Sequence, residues 1–106
     1  MTKIVRGSGN VFADLGIADA GERQTKVRLA VAINGIVARR GMSQVRASAL
    51  LGIGQPKVSA LANYRLDGFS VERLMTFLTA LDRDVRIVIE KKPRSRPAGR
   101  ISVVAA

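Results

Sequence analysis

The stretch that decides the fold is residues 44–63, QVRASALLGIGQPKVSALAN. Gly52, Ile53 and Gly54 separate two segments of helix-forming residues within it. Ala47 and Ser48 are small where the first helix must approach the second closely, and Gly52 permits a sharp backbone turn. Leu51, Ile53, Val58 and Leu61 supply the apolar contacts that lock a crossing angle. Ser43 is placed to cap the first segment, Gln44 to Leu51, by accepting a hydrogen bond from a free backbone N–H. Pro56 falls in the first turn of the second segment, Gln55 to about Asn63, where its missing N–H costs nothing. The small pair, the turn glycine and the apolar set, all in register, predict a helix-turn-helix. The alternative is an ordinary pair of helices in a small bundle.

Upstream, Leu29, Ala32, Ile33, Ile36 and Val37 recur at helical spacing and predict a helix from Glu22. Arg39 and Arg40 suit its C-terminus, and Gly41 can take the left-handed conformation that ends it. Residues 1–20 carry Gly7, Gly9 and Gly16 beside an apolar cluster of Val11, Phe12, Leu15 and Ile17. They read as a loose arm docking by those apolar residues. Downstream, Asp67 and Gly68 signal a turn, and Ser70 can cap a fourth helix with Val71, Leu74, Leu78 and Leu81 on one face. After Asp82 the period becomes two: Val85, Ile87 and Ile89 alternate with Arg86, Val88 and Glu90, which predicts a half-buried strand from Val85 to Glu90. Such a strand needs a partner from the arm, from Ile101 to Val104, or from a second copy of the chain. Lys91, Lys92, Arg94, Arg96 and Arg100 follow with no acidic residue among them, a basic tail. The expected division is an arm over 1–20, a helix-turn-helix domain with its terminal strand over 21–90, and the tail over 91–106.

Composition narrows the chemistry. The chain has no Cys and no His, which removes disulfides, the usual zinc ligand sets, thiol nucleophiles and the commonest general base. Asp82 and Asp84 flank a turn, and Asp14 and Asp19 lie in the arm, but none is placed with a nucleophile or a metal-ligand run. The expectation is therefore a protein that is not an enzyme and uses no cofactor or metal. No stretch approaches the ~20 apolar residues of a membrane span, and Met1 to Gly9 has no apolar block of the signal-peptide kind, so a cytoplasmic location is expected. With 18 Lys and Arg against 8 Asp and Glu, the formal charge is +10, which favours a polyanionic partner.

In a helix-turn-helix the second helix enters the major groove by its N-terminal end. That places Gln55, Lys57, Ser59 and Asn63 to meet base edges. A Gln amide can bond adenine in two places, Lys57 can donate to guanine or phosphate, and Ser59 tolerates either. The alternative for Lys57 and Asn63 is a solvated helix face. Gln44 opens the first motif helix, where amides hold a phosphate, and so positions rather than reads. Arg46 and Arg65, with Arg39 and Arg40, are candidates for backbone contacts or for plain surface charge. Tyr64 is expected to pack beside the helix, since aromatics at 4% offer no platform for single strands.

Gln44, Ala47, Leu51, Gly52, Ile53, Gln55, Pro56, Val58 and Ser59 together resemble the Xre (lambda repressor or Cro-like) helix-turn-helix regulators. The wider order resembles their HigA-type antitoxin subgroup: residues 10–16 reading NVFADLG, a long first helix, the motif, Gly68-Phe69-Ser70, and a helix to Leu81, Asp82 and Arg83 before a strand. The resemblance implies a mainly all-α, lambda-repressor-like bundle of about four or five helices with a C-terminal strand. It further implies a homodimeric repressor that binds an operator inverted repeat, controls its own operon and neutralises a RelE-like mRNA nuclease toxin. Gln44, Gln55, Lys57 and Ser59 carry over as DNA contacts. Gly54 departs from the usual Ser or Thr cap, and Ala60 from the usual longer polar reader. The alternative is a free-standing Xre-type regulator without a toxin partner; a third reading is a chromatin-like binder working through charge alone.

Overall fold

Leu29, Ala30, Ile33 and Ile36 follow the three-and-four spacing that puts side chains on one face of a helix, and all four are buried. They lie on α1, Leu15–Arg39, in the computed structural model of the protein, which describes residues 15–105 and side chains from residue 21 onward. Three shorter helices follow: α2 Gln44–Leu51, α3 Gln55–Ala62 and α4 Val71–Ala80. α1 begins at Leu15 rather than Glu22, inside the segment expected to be a loose arm. Extending a helix that packing already holds adds a hydrogen bond for each residue fixed, and residues 15–21 contain no proline to stop it. Val11 and Phe12 of the expected docking cluster lie outside the described residues.

All four helices stop by a related device. At the end of α1 the N–H of Met42 donates to the carbonyl of Val37 and that of Gly41 to Ala38, with Gly41 at φ +63°. That pairing satisfies carbonyls the helix leaves open and turns the chain. At the end of α2 the N–H groups of Gly52 and Ile53 both donate to Ser48, with Gly52 at φ +71°. α3 and α4 repeat the pattern without glycine: Tyr64 sits at φ 59° and Asp82 at φ 66°, and the N–H groups of Arg65 and Arg83 reach back to Ala60 and Leu78. Starts are also capped as the sequence predicts. Ser43 accepts from the Arg46 N–H at 3.1 Å, and Ser70 from the Arg73 N–H at 3.0 Å. Either Ser→Ala change should lower unfolding free energy by about 1 kcal/mol, read from urea denaturation. Gly54 caps α3 with no side-chain bond, a tolerable cap because glycine leaves the first N–H groups open to water.

α1 packs across α4, α2 crosses α3, and the two pairs are joined by contacts of α1 with α3 and of α2 with α4. Ile33, Leu74, Phe77 and Leu81 are the largest fully buried side chains at their centre. Phe69, from the turn before α4, meets Phe77 edge to face with ring centroids 5.9 Å apart. The buried set also includes Ala30, Leu66, Phe69 and Phe77, beyond the apolar positions named from the sequence, whereas Ala32, Val37 and Val71 are only partly buried against it. Two polar ties cross the core's edge. Asn34 donates to the Leu61 carbonyl at 3.1 Å, holding the C-terminal turn of α3 onto α1. The Arg40 guanidinium donates to the Leu81 carbonyl at 2.8 Å and lies 3.6 Å from the Asp82 carboxylate.

The strand expected from Val85 to Glu90 is not formed: no strand occurs among the described residues. A strand exists only through its ladder, and the segment has no backbone partner among them. Val85 and Val103 each pack against the core, but Ile101 to Val104 does not pair with the segment.

Candidate nucleic-acid interface

The site is built by the tight corner between α2 and α3. Ala47 is buried at 2% exposure, small enough for the two helices to cross, and Leu51, Val58 and Leu61 are buried as well. Ser48 does more than stay small. Its hydroxyl donates to the Ile53 carbonyl while its own carbonyl accepts from Gly52 and Ile53, so one residue ties the whole turn. Ile53 is partly buried against the core.

With Val58 and Leu61 facing inward, the leading end of α3 faces solvent: Gln55, Pro56 and Lys57 are all exposed. Successive residues turn by about 100° around a helix axis, which puts Pro56 and Asn63 farthest from the buried side and Lys57 on its flank. Gln55 at the first position of α3 has an exposed side chain with no hydrogen bond to another described residue, leaving its amide available. Ser59 is half-buried one turn on, and Ala60 packs partly on the core.

Lys57 and Asn63 are engaged within the protein. The Lys57 ammonium donates to the Gly68 carbonyl at 2.9 Å and stands 4.7 Å from the centre of the Phe69 ring. A cation held by a carbonyl and an aromatic face stitches the loop before α4 to the start of α3. Asn63 donates its side-chain amide to the Ser59 carbonyl at 2.9 Å, closing the end of its own helix. Sequence spacing cannot show either bond, because the first depends on where residues 68 and 69 return in space and the second on a rotamer.

Gln44 is exposed at the first position of α2, beside the Ser43 cap. Arg46 and Arg65 are exposed and make no ion pair with a carboxylate among the described residues. The structure thus leaves Gln44, Arg46 and Gln55 exposed in the first turns of α2 and α3, with Arg65 just beyond the end of α3. Arg40 departs from the expected set, since its guanidinium is committed to the end of α4. Tyr64 is partly exposed and occupies the left-handed position that ends α3. No group of His, Cys, Asp or Glu suited to a metal occurs among the described residues. No described helix is long and apolar enough to cross a membrane.

Two short helices crossing at a glycine corner, capped by Ser43 and leaving the start of the second in solvent, define the helix-turn-helix class. Comparison with known proteins gives the same class: a family model described as a helix-turn-helix domain matches residues 11–90. A solved structure of a protein assigned to the XRE family of transcriptional regulators is 70% identical, with a TM-score of 0.80 over 83% of this chain and 99% of that one. The chain belongs to the XRE family of helix-turn-helix proteins. No curated protein matches it.

Proposed function

We propose that the protein is a DNA-binding regulator of transcription, acting as a homodimeric repressor on an inverted repeat in duplex DNA. The observation that carries this reading is the exposed leading end of α3 in a chain of formal charge +10. Gln55 reads base edges in the major groove, the start of α2 at Gln44 holds a phosphate, and Arg46 and Arg65 add backbone contacts. Family membership supports the same assignment.

The run Gly68-Phe69-Ser70, part of the likeness to HigA-type antitoxins, is used by the fold itself. Gly68 receives Lys57, Phe69 is buried and Ser70 caps α4. It therefore speaks for a shared helical framework and not for a toxin, and the proposal stops at a free-standing regulator.

The test is footprinting on the protein's own promoter with a binding titration across salt. Protection of two half-sites about 34 Å apart on one face of the duplex is expected. Log affinity should fall with log salt by about 0.9 per phosphate engaged, on operator and scrambled duplex alike, while the operator stays tighter throughout. Equal affinity for both duplexes would leave only charge-driven binding.

A further inference from the structure

The segment after α4 is unusual for an exposed stretch. Ile87, Val88 and Ile89 are 75%, 66% and 90% exposed, three consecutive branched apolar side chains in water. Residues 84–92 make no backbone–backbone hydrogen bond with other described residues. A run of β-formers with an open backbone edge is a template for pairing with another strand.

The charges along the segment say which strand fits. Its even positions read Asp84, Arg86, Val88, Glu90 and Lys92. Reversed against itself about Val88, every charged residue on this face meets the opposite charge. Asp84 faces Lys92 of the partner subunit, and Arg86 faces Glu90 of the partner subunit. On the odd face, Ile87 meets Ile89 of the partner subunit, and Val85 lies opposite the aliphatic stem of Lys91 of the partner subunit. Val85 packs partly on the core, whereas Ile87 and Ile89 beyond it stand in solvent, open to a second copy.

Other registers fail by the same test. A two-fold axis normal to a sheet requires one residue to face its own copy, so the register slips two residues at a time. Centring on Ile87 sets Asp84 against Glu90 of the partner subunit. Centring on Ile89 sets Arg86 against Lys92 of the partner subunit. A parallel pair in register would put every charge beside its like, which destabilises a ladder.

We propose that residues 84–92 form a two-stranded antiparallel ribbon with the same segment of a second copy of the chain, Val88 facing Val88 of the partner subunit. This deepens the dimeric reading proposed above by naming the surface and the register. The missing ladder of the single chain is then completed by its twin.

The chain has no cysteine, so single-cysteine variants of the full protein report the register directly. Directly opposed residues in such a ribbon have Cα atoms about 4.5–5.5 Å apart, within disulfide reach. Diagonal neighbours are ~7–8 Å apart and outside it. Under mild oxidation Val88→Cys should cross-link to a covalent dimer. Ile87→Cys and Ile89→Cys should each stay uncross-linked alone and cross-link when mixed. In sedimentation equilibrium, Arg86→Glu should weaken the dimer about tenfold, and the swap Arg86→Glu with Glu90→Arg should restore it to within about threefold.

A wild-type monomer, in which the arm or the tail covers the segment instead, overturns the proposal. So does cross-linking of Ile87→Cys alone as efficient as that of Val88→Cys, or a charge swap that restores nothing. A cross-linked dimer that ignores duplex DNA would sink the regulator reading and leave the ribbon standing. A monomer that binds an operator would do the reverse.

Discussion

Phe77→Ala is expected to lower the unfolding free energy by about 3–5 kcal/mol, the usual range for deleting a buried aromatic ring. Phe77 is 2% exposed, meets the edge of Phe69 and carries the Arg73 guanidinium 5.4 Å from its ring centre. Its removal leaves a cavity between α1 and α4 and strips Phe69 of its partner, so the surroundings cannot close without moving the loop that holds Lys57. Against a net stability of about 5–15 kcal/mol for a domain this size, the loss is a large fraction. Thermal unfolding followed by circular dichroism should show a midpoint at least ~10 °C lower. A shift of only a degree or two would mean that the ring does not pack as described.

Gln55→Ala carries the largest expected effect on recognition. A bidentate amide–adenine pair discriminates by about 1–3 kcal/mol and a dimer on an inverted repeat makes two, so operator affinity should fall by at least about thirtyfold. Affinity for scrambled duplex should hold. Stability should hardly change, since the exposed Gln55 side chain makes no hydrogen bond with another described residue. Lys57→Ala is the contrasting case. It removes the bond to Gly68 and the contact with Phe69, and should cost about 1 kcal/mol of stability while leaving the preference for operator over scrambled duplex unchanged. Anisotropy titrations beside urea denaturation separate the two. An operator-specific loss in Lys57→Ala with unaltered stability would return Lys57 to the bases and refute its structural assignment.

The helix-turn-helix was legible because each of its requirements is local. Ala47 and Gly52 have a size or backbone requirement at fixed spacing, and Ser43 and Ser70 cap helices a few residues away. Phe69 escaped because it precedes its helix and so shows in no periodicity, whereas Phe77, three residues after Leu74 and four before Leu81, lies at helical spacing on the same face. Asn34 and Arg40 escaped for a related reason: a polar side chain reads as surface until its carbonyl partner, 27 or 41 residues away, is placed. The Val85 to Glu90 strand was misread in the opposite sense. Its alternation is real, but alternation describes a strand's faces and says nothing of the partner that makes it one.

The sequence by itself determined where the helices begin and end after Gly41, the crossing of α2 and α3, and the excess of positive charge. All of these follow from backbone conformation, capping and residue size over a few positions. Only the tertiary structure decided which polar groups remain available for nucleic acid. Lys57, Asn63 and Arg40 are each claimed by a carbonyl, in the first and last cases from another part of the chain, while Gln44, Arg46 and Gln55 are left at open helix starts. The reason is that a side chain's hydrogen-bonding capacity is spent on whatever the fold brings within reach, and reach across the fold is not a property of sequence spacing.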